Sequence, residues 1–187
     1  IDRHLYSTIP ATDFRRKCWV DFTLDGMTQE NAINELKNYS NYPERVYKSG
    51  KENAKYGLGG LSLKFRNVAG KADVKYDAWC VSVPLMRVEE MKLIEAEAAG
   101  MQDEARGKAL LEAFAKTRDP QYAYGTHTDA YYNNSTSLFQ NEVWWQRRVE
   151  LWGEGFATFD IKRLNKGIIR SYAGTNHLEN ARWNTQE

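Results

Sequence analysis

Two neighbouring segments of helical period constrain this chain most: LMRVEEMKLIEAEAAG (85–100) and DEARGKALLEAFAKTR (103–118). Pro84 stands where the first helix can begin, and Gly100 where it can stop. Val88, Met91, Ala98 and either Leu93 or Ile94 make up its expected apolar face. Asp103 opens the second helix, and Asp119-Pro120 closes it. Ala105, Ala109 and Ala113 recur every four residues, a small stripe that lets a neighbouring helix approach closely, with Leu110 and Phe114 filling the flank. Two antiparallel helices joined by a short turn are the unit of a tetratricopeptide-type array, and a plain helical hairpin fits the same period.

The residues before this pair are irregular. Ile1 to Phe22 shows neither a period of two nor one of 3.6. Thr28 can cap a helix over Gln29 to Asn38, whereas Tyr39 to Lys55 is polar and reads as loop. After Gly57, Gly59 and Gly60, the alternation of Leu61, Leu63 and Phe65 is that of a short strand. Beyond the pair, an aromatic and polar stretch, QYAYGTHTDAYYNNSTS, precedes a third helix expected over Leu138 to Trp152. A fourth follows over Phe156 to Asn165, separated from it by Gly153 and Gly155. The expected fold class is therefore mainly α, with irregular loops and a little β. It divides into a loop-rich segment 1–83 with a short helix and strand, and a helical region 84–187, both parts of one larger domain.

Charge is balanced, 26 Lys and Arg against 25 Asp and Glu, so no broad basic field exists to hold nucleic acid. No apolar run approaches the roughly 18 residues a membrane helix needs. Cys18 and Cys80 form no CxxC, and both a disulfide between them and two free thiols stay open. His4, His127 and His177 are scattered outside any HExxH pattern, no metal site is expected, and neither GxGxxG nor a nucleophile elbow occurs. The sequence implies no cofactor.

The densest chemistry lies in WWQRRVELWGEGF (144–156). On a helix Arg147, Glu150 and Glu154 share one face, and Arg148 lies four positions from both Trp144 and Trp152. A glycosidase needs two carboxylates facing each other about 5 to 10 Å apart across a bond. Glu150 and Glu154 instead point the same way from one helix, each with an arginine in reach, which favours charged, paired carboxylates over a general acid. The same reading applies to Asp160 with Arg163 and to Arg87 with Glu90.

In combination, PLMRVEEMKLIEAEAAG (84–100), LLEAFAKTR (110–118) and QRRVELWGEGFATFDIKRLNKGIIR (146–170) resemble the C-terminal part of the RagB/SusD family. Tyr6, Pro10, Asp13 and Arg15 in the opening segment extend the resemblance. Two departures stand out: Gln146 where Glu is usual, and Ala157 where many members carry Arg. The resemblance implies a SusD-like fold of tetratricopeptide-type helix pairs and a surface glycan-binding lipoprotein of Bacteroidetes-type bacteria. It further implies no catalysis, and delivery of oligosaccharide to a TonB-dependent, SusC-like outer-membrane transporter. Family chains run longer and begin with a lipidated cysteine, so an N-terminal portion carrying that anchor is expected outside this sequence.

For glycan capture, sugar faces call for aromatic platforms and hydroxyls for polar side chains. Trp79, Tyr122, Tyr124, Tyr131 and Tyr132, with Asn133 and Asn134, fit because they fall in loops rather than on helix faces. Two other readings are a glycoside hydrolase using Glu150 or Glu154, and a pure protein–protein scaffold of helix pairs.

Overall fold

The computed structural model describes residues 1–20, 26–37, 42–54, 61–62, 64–65, 84–127, 136–169 and 182–183. The chain forms two compact units. The first contains Ile1–Ile9 and the described residues of Arg16–Leu85. The second contains Pro10–Arg15, the described residues of Met86–Ala173, and 182–183. Seven α-helices and four two-residue strands occur among the described residues, a mainly α, SusD-like fold.

In the first unit, Asp2 caps the short helix α1 (Arg3–Ser7) by accepting from the Leu5 amide. Tyr6 and Trp19 are buried and meet edge to face, with ring centroids 6.5 Å apart. Arg16 lies over the Tyr6 ring and donates to the carbonyls of Tyr6 and Ile9. Strand β1 (Trp19–Val20) pairs antiparallel with β2 (Leu61–Ser62). The strand expected to reach Phe65 is thus two residues long, Lys64 and Phe65 lying in a turn; Leu63 falls outside the described residues.

Thr28 caps α2 (Gln29–Leu36) as expected, its hydroxyl accepting from the Asn31 amide. The polar stretch after it, read as loop, contains a helix. Residues Pro43–Ala54 form helix α3, with Pro43 at the first helical position and Glu44 in the first turn. A core of Ala32, Leu36 and Tyr47, flanked by Ile33 and Val46, joins α2 to α3. Apart from Pro43 and Ala54, the apolar residues of α3 are Val46 and Tyr47, so its period is faint in the sequence and packing on α2 contributes to its stability.

In the second unit, α4 (Val88–Gln102) and α5 (Glu104–Lys116) form the expected antiparallel pair. Asp103 ends the first and caps the second, accepting from the amides of Ala105 and Arg106. Pro84 lies outside the helix, whose N-cap is Arg87. Gly100 does not end α4 either: it sits where the helices cross. A Cβ on Gly107 would come within 2.2 Å of the Gly100 Cα, and one on Gly100 within 2.1 Å of the Phe139 ring. Glycines, rather than the alanine stripe, provide the close approach, and Ala105, Ala109 and Ala113 are exposed. That crossing turns Leu93, Ala96 and Ala99 of α4 inward and leaves Val88, Met91, Ile94 and Ala98 at the surface. The expected apolar face is thus corrected, and of the two alternatives Leu93 is the buried one.

Leu93, Ala96, Leu111 and Phe114 enclose Phe139 and Val143 of α6 (Leu138–Glu150). Each fully buried Leu, Val or Phe contributes about 1.5–3 kcal/mol, so this three-helix contact stabilises the unit by several such increments. Ser137 and Gln140 form a capping box at the start of α6. Gly153 and Gly155, both at positive φ, turn the chain into α7 (Ala157–Arg163). Strands β3 (Ile168–Ile169) and β4 (Arg182–Trp183) pair antiparallel.

Candidate functional site

Helix α6 is buried along nearly its whole length and carries a polar column, Glu142, Gln146 and Glu150, at four-residue spacing. Its two carboxylates organise separate networks.

At the C-terminal end, Glu150 accepts from three arginines. Arg15 reaches Oε2 at 3.3 Å, Arg118 reaches Oε2 through Nε at 3.2 Å, and Arg87 reaches Oε1 at 3.1 Å. Arg87 also grips Glu154 bidentately, at 3.0 and 2.7 Å, and donates to the Glu150 carbonyl. Asp13 holds Arg15 at 2.7 Å, and Glu89 bridges Arg87 and Arg118. Burial alone would raise the Glu150 carboxyl, but the hydrogen bonds and charge of Arg118, with Arg15 and Arg87, hold it below the usual carboxylate range. Burial would likewise lower the Arg87 guanidinium, whereas Glu154 and Glu150 hold it above its ordinary value.

These partners differ from those expected at short range. Arg87 pairs with Glu89, Glu150 and Glu154 rather than Glu90. Arg147 turns away from Glu150 to Asp160, at 2.8 Å, and Asp160 also takes Arg163, as expected. Arg163 continues to Glu97, so α4, α6 and α7 are tied through one chain of charges. Arg148 lies over Trp144 at 4.6 Å.

At the N-terminal end, the fully buried Glu142 receives four contacts from the segment after α5. Tyr122 Oη lies at 2.9 Å, the Gly125 and His127 amides at 2.9 and 2.8 Å, and His127 Nδ1 at 2.9 Å. The His127 ring stacks on Trp145 with centroids 3.7 Å apart. Burial raises the Tyr122 hydroxyl well above its ordinary value, and the Glu142 charge adds to it. Burial opposes ionisation of Glu142 as well, but the hydrogen bonds from His127 and Tyr122 keep it below the usual range.

Gln146, between these networks, is fully buried, and neither end of its amide has a hydrogen-bond partner among the described residues. Replacing an unsatisfied buried amide by an apolar group of similar shape is neutral to stabilising. We therefore expect Gln146→Met to leave unfolding unchanged or raise its free energy by about 1 kcal/mol, as measured by urea titration. A loss above that size would reveal a partner the amide depends on.

Of the residues singled out for sugar contact, Tyr122 is buried, with its hydroxyl engaged by Glu142. Tyr124 packs half-buried against the α4–α5–α6 core, Lys108 lying over its ring at 4.4 Å. Trp79, Tyr131, Tyr132, Asn133 and Asn134 lie outside the described residues, as does Cys80; Cys18 is half-buried. The structure adds Glu142, Asn141 and Lys166, which the sequence analysis missed. Glu142, eight residues before Glu150 on an aromatic helix, was the one signal available for them. Among the described residues, no group of histidines, cysteines and carboxylates is arranged to hold a metal ion, and no helix is long and apolar enough to cross a membrane.

The SusD family profile matches residues 3–186, and the chain belongs to that family. No curated protein and no solved structure matches it. Members are in general glycan-binding proteins of nutrient uptake without catalytic activity, typically at the outer-membrane surface and linked to SusC-like transporters. Held below the usual carboxylate range, Glu150 lacks the raised carboxyl that a general acid needs.

Proposed function

We propose that this chain captures an oligosaccharide or polysaccharide without transforming it and passes it to a TonB-dependent, SusC-like transporter. The reading places it on the outer-membrane surface, held by a lipid on an N-terminal cysteine beyond this sequence, as is usual for relatives. Membership of the SusD family along residues 3–186 carries this reading. The paired state of Glu150 and Glu154 supports it, because neither carboxylate is left poised for proton transfer.

The sugar-contacting residues we assign are Trp79, Tyr131 and Tyr132 as platforms and Asn133 and Asn134 as hydroxyl partners. Tyr124, half-buried against the helical core, and Tyr122, buried with its hydroxyl on Glu142, complete the set. Aromatic contacts of this kind contribute about 0.5–1.5 kcal/mol each.

Native affinity electrophoresis through gels containing starch, mannan, xylan, pectin or mucin glycans tests this. Retardation of the wild-type chain in one gel supports capture and names the polymer class. In that gel, Tyr131→Ala/Tyr132→Ala is expected to weaken affinity about tenfold with unchanged circular dichroism. Full retention of affinity would remove both tyrosines from the site. New reducing ends released from the bound polymer would overturn the non-catalytic reading.

A further inference from the structure

Helix α4 buries Leu93, Ala96 and Ala99 and carries a second apolar stripe on its exposed side. Met91, Ile94, Ala98 and Met101 recur at alternating steps of three and four residues, the a and d spacing of a helix that packs along another helix. All four are exposed, Met91 at 47%, Ile94 at 41% and Met101 at 65%. Apolar residues scattered singly over a surface are ordinary, whereas four in register along about 15 Å of one helix make a surface suited to a partner. Two of the chain's four methionines lie in this stripe, and methionine is frequent on surfaces that adapt to a bound helix.

The charges beside the stripe define what can cover it. With Met91 and Ile94 as a and d, the flanking g and e positions are Glu90, Glu95, Glu97 and Gln102. Lys92, the one basic residue of α4, falls at b, away from the seam. Glu97 is taken by Arg163, and Glu89 by Arg87 and Arg118. Glu90 and Glu95 form no ion pair among the described residues, so the two carboxylates on either side of the stripe are the ones the scaffold leaves unused. A second copy of α4 would set glutamate against glutamate in either direction. In a parallel pair Glu90 meets Glu95, and in an antiparallel pair each flank meets its own kind. A helix with basic flanks meets opposite charge instead, which fixes its register while the apolar seam supplies affinity.

We propose that the exposed face of α4 is a docking surface for an amphipathic helix of a separate protein, one whose apolar stripe is flanked by lysines or arginines. This goes beyond glycan capture and does not depend on it.

Fluorescence anisotropy with two labelled synthetic peptides tests this on the full chain. Both peptides carry leucine at a and d over about three heptads; one has lysine at every e and g position, the other glutamate. The lysine peptide is expected to bind, and the glutamate peptide to bind about tenfold more weakly or worse. Glu90→Lys/Glu95→Lys is expected to reverse that preference. Ile94→Asn and the more exposed Met101→Asn, each with unchanged circular dichroism, are expected to weaken the lysine peptide about tenfold. No binding of the lysine peptide at about 1 mM, or equal binding of both peptides, would overturn the proposal. Undiminished binding to both asparagine variants would overturn it too, reducing the contact to a general attraction between a basic peptide and an acidic surface. So would a dimer of the chain alone, seen by sedimentation and dissociated by Ile94→Asn, since the occupant would then be a second copy.

Discussion

Glu150→Ala is expected to destabilise the second unit by about 3–5 kcal/mol, the cost of removing one partner from a buried ion network. The carboxylate accepts from Arg15, Arg87 and Arg118 at once, and its side chain is only 7% exposed. Its loss leaves Arg15, 5% exposed, with Asp13 alone among the carboxylates described around it. Urea unfolding followed by tryptophan fluorescence measures the effect, Trp144 and Trp145 lying on the same helix. A loss below about 1 kcal/mol would place the pairs with ordinary exposed salt bridges.

The same carboxylate sets an acid limb. Its folded value lies below the ordinary one, so its stabilisation is fully present above the unfolded carboxylate value, near pH 4.3, and is lost as pH falls through the folded value. Glu142 acts in the same direction. Stability of the wild type should therefore fall below about pH 4.3, and Glu150→Gln should flatten that fall while lowering the plateau at neutral pH. An unchanged acid limb in the variant would mean that other carboxylates dominate.

Gly107→Ala is the second large effect expected. The new methyl would overlap the Gly100 backbone at 2.2 Å and the Ala96 carbonyl at 2.8 Å, neither of which is the end of a flexible side chain. The helices must separate, which loosens Leu93, Leu111 and Phe114 around Phe139. We expect a loss of about 3 kcal/mol, at the upper end of what overpacking costs, opposite in sign to the small gain alanine brings at an open helix position. Thermal denaturation checks it, and an unchanged midpoint would mean that the α4–α5 crossing has room to adjust.

What could be read without the structure divides along the range of the forces involved. Helical period is a local property, so α4, α5 and α6 were legible, as were the caps at Thr28 and Asp103. Helix α3 was not, because Val46 and Tyr47 carry its packing and little else in it is apolar. Gly100 read as a stop; only the crossing of two helices shows that neither it nor Gly107 tolerates a side chain.

For the candidate site, the sequence by itself determined which charged and aromatic residues of α6 share a helix and which family the blocks resemble; Glu154, expected on the same helix as Glu150, lies in the turn beyond it, where Arg87 binds both. Tertiary structure decided the partners. Arg15 and Glu150 are 135 positions apart, and Arg87 and Glu154 are 67 apart. No periodicity reaches across such distances, since which charges meet depends on how buried helix faces are packed, and a buried charge takes whichever partner that packing brings within hydrogen-bond reach.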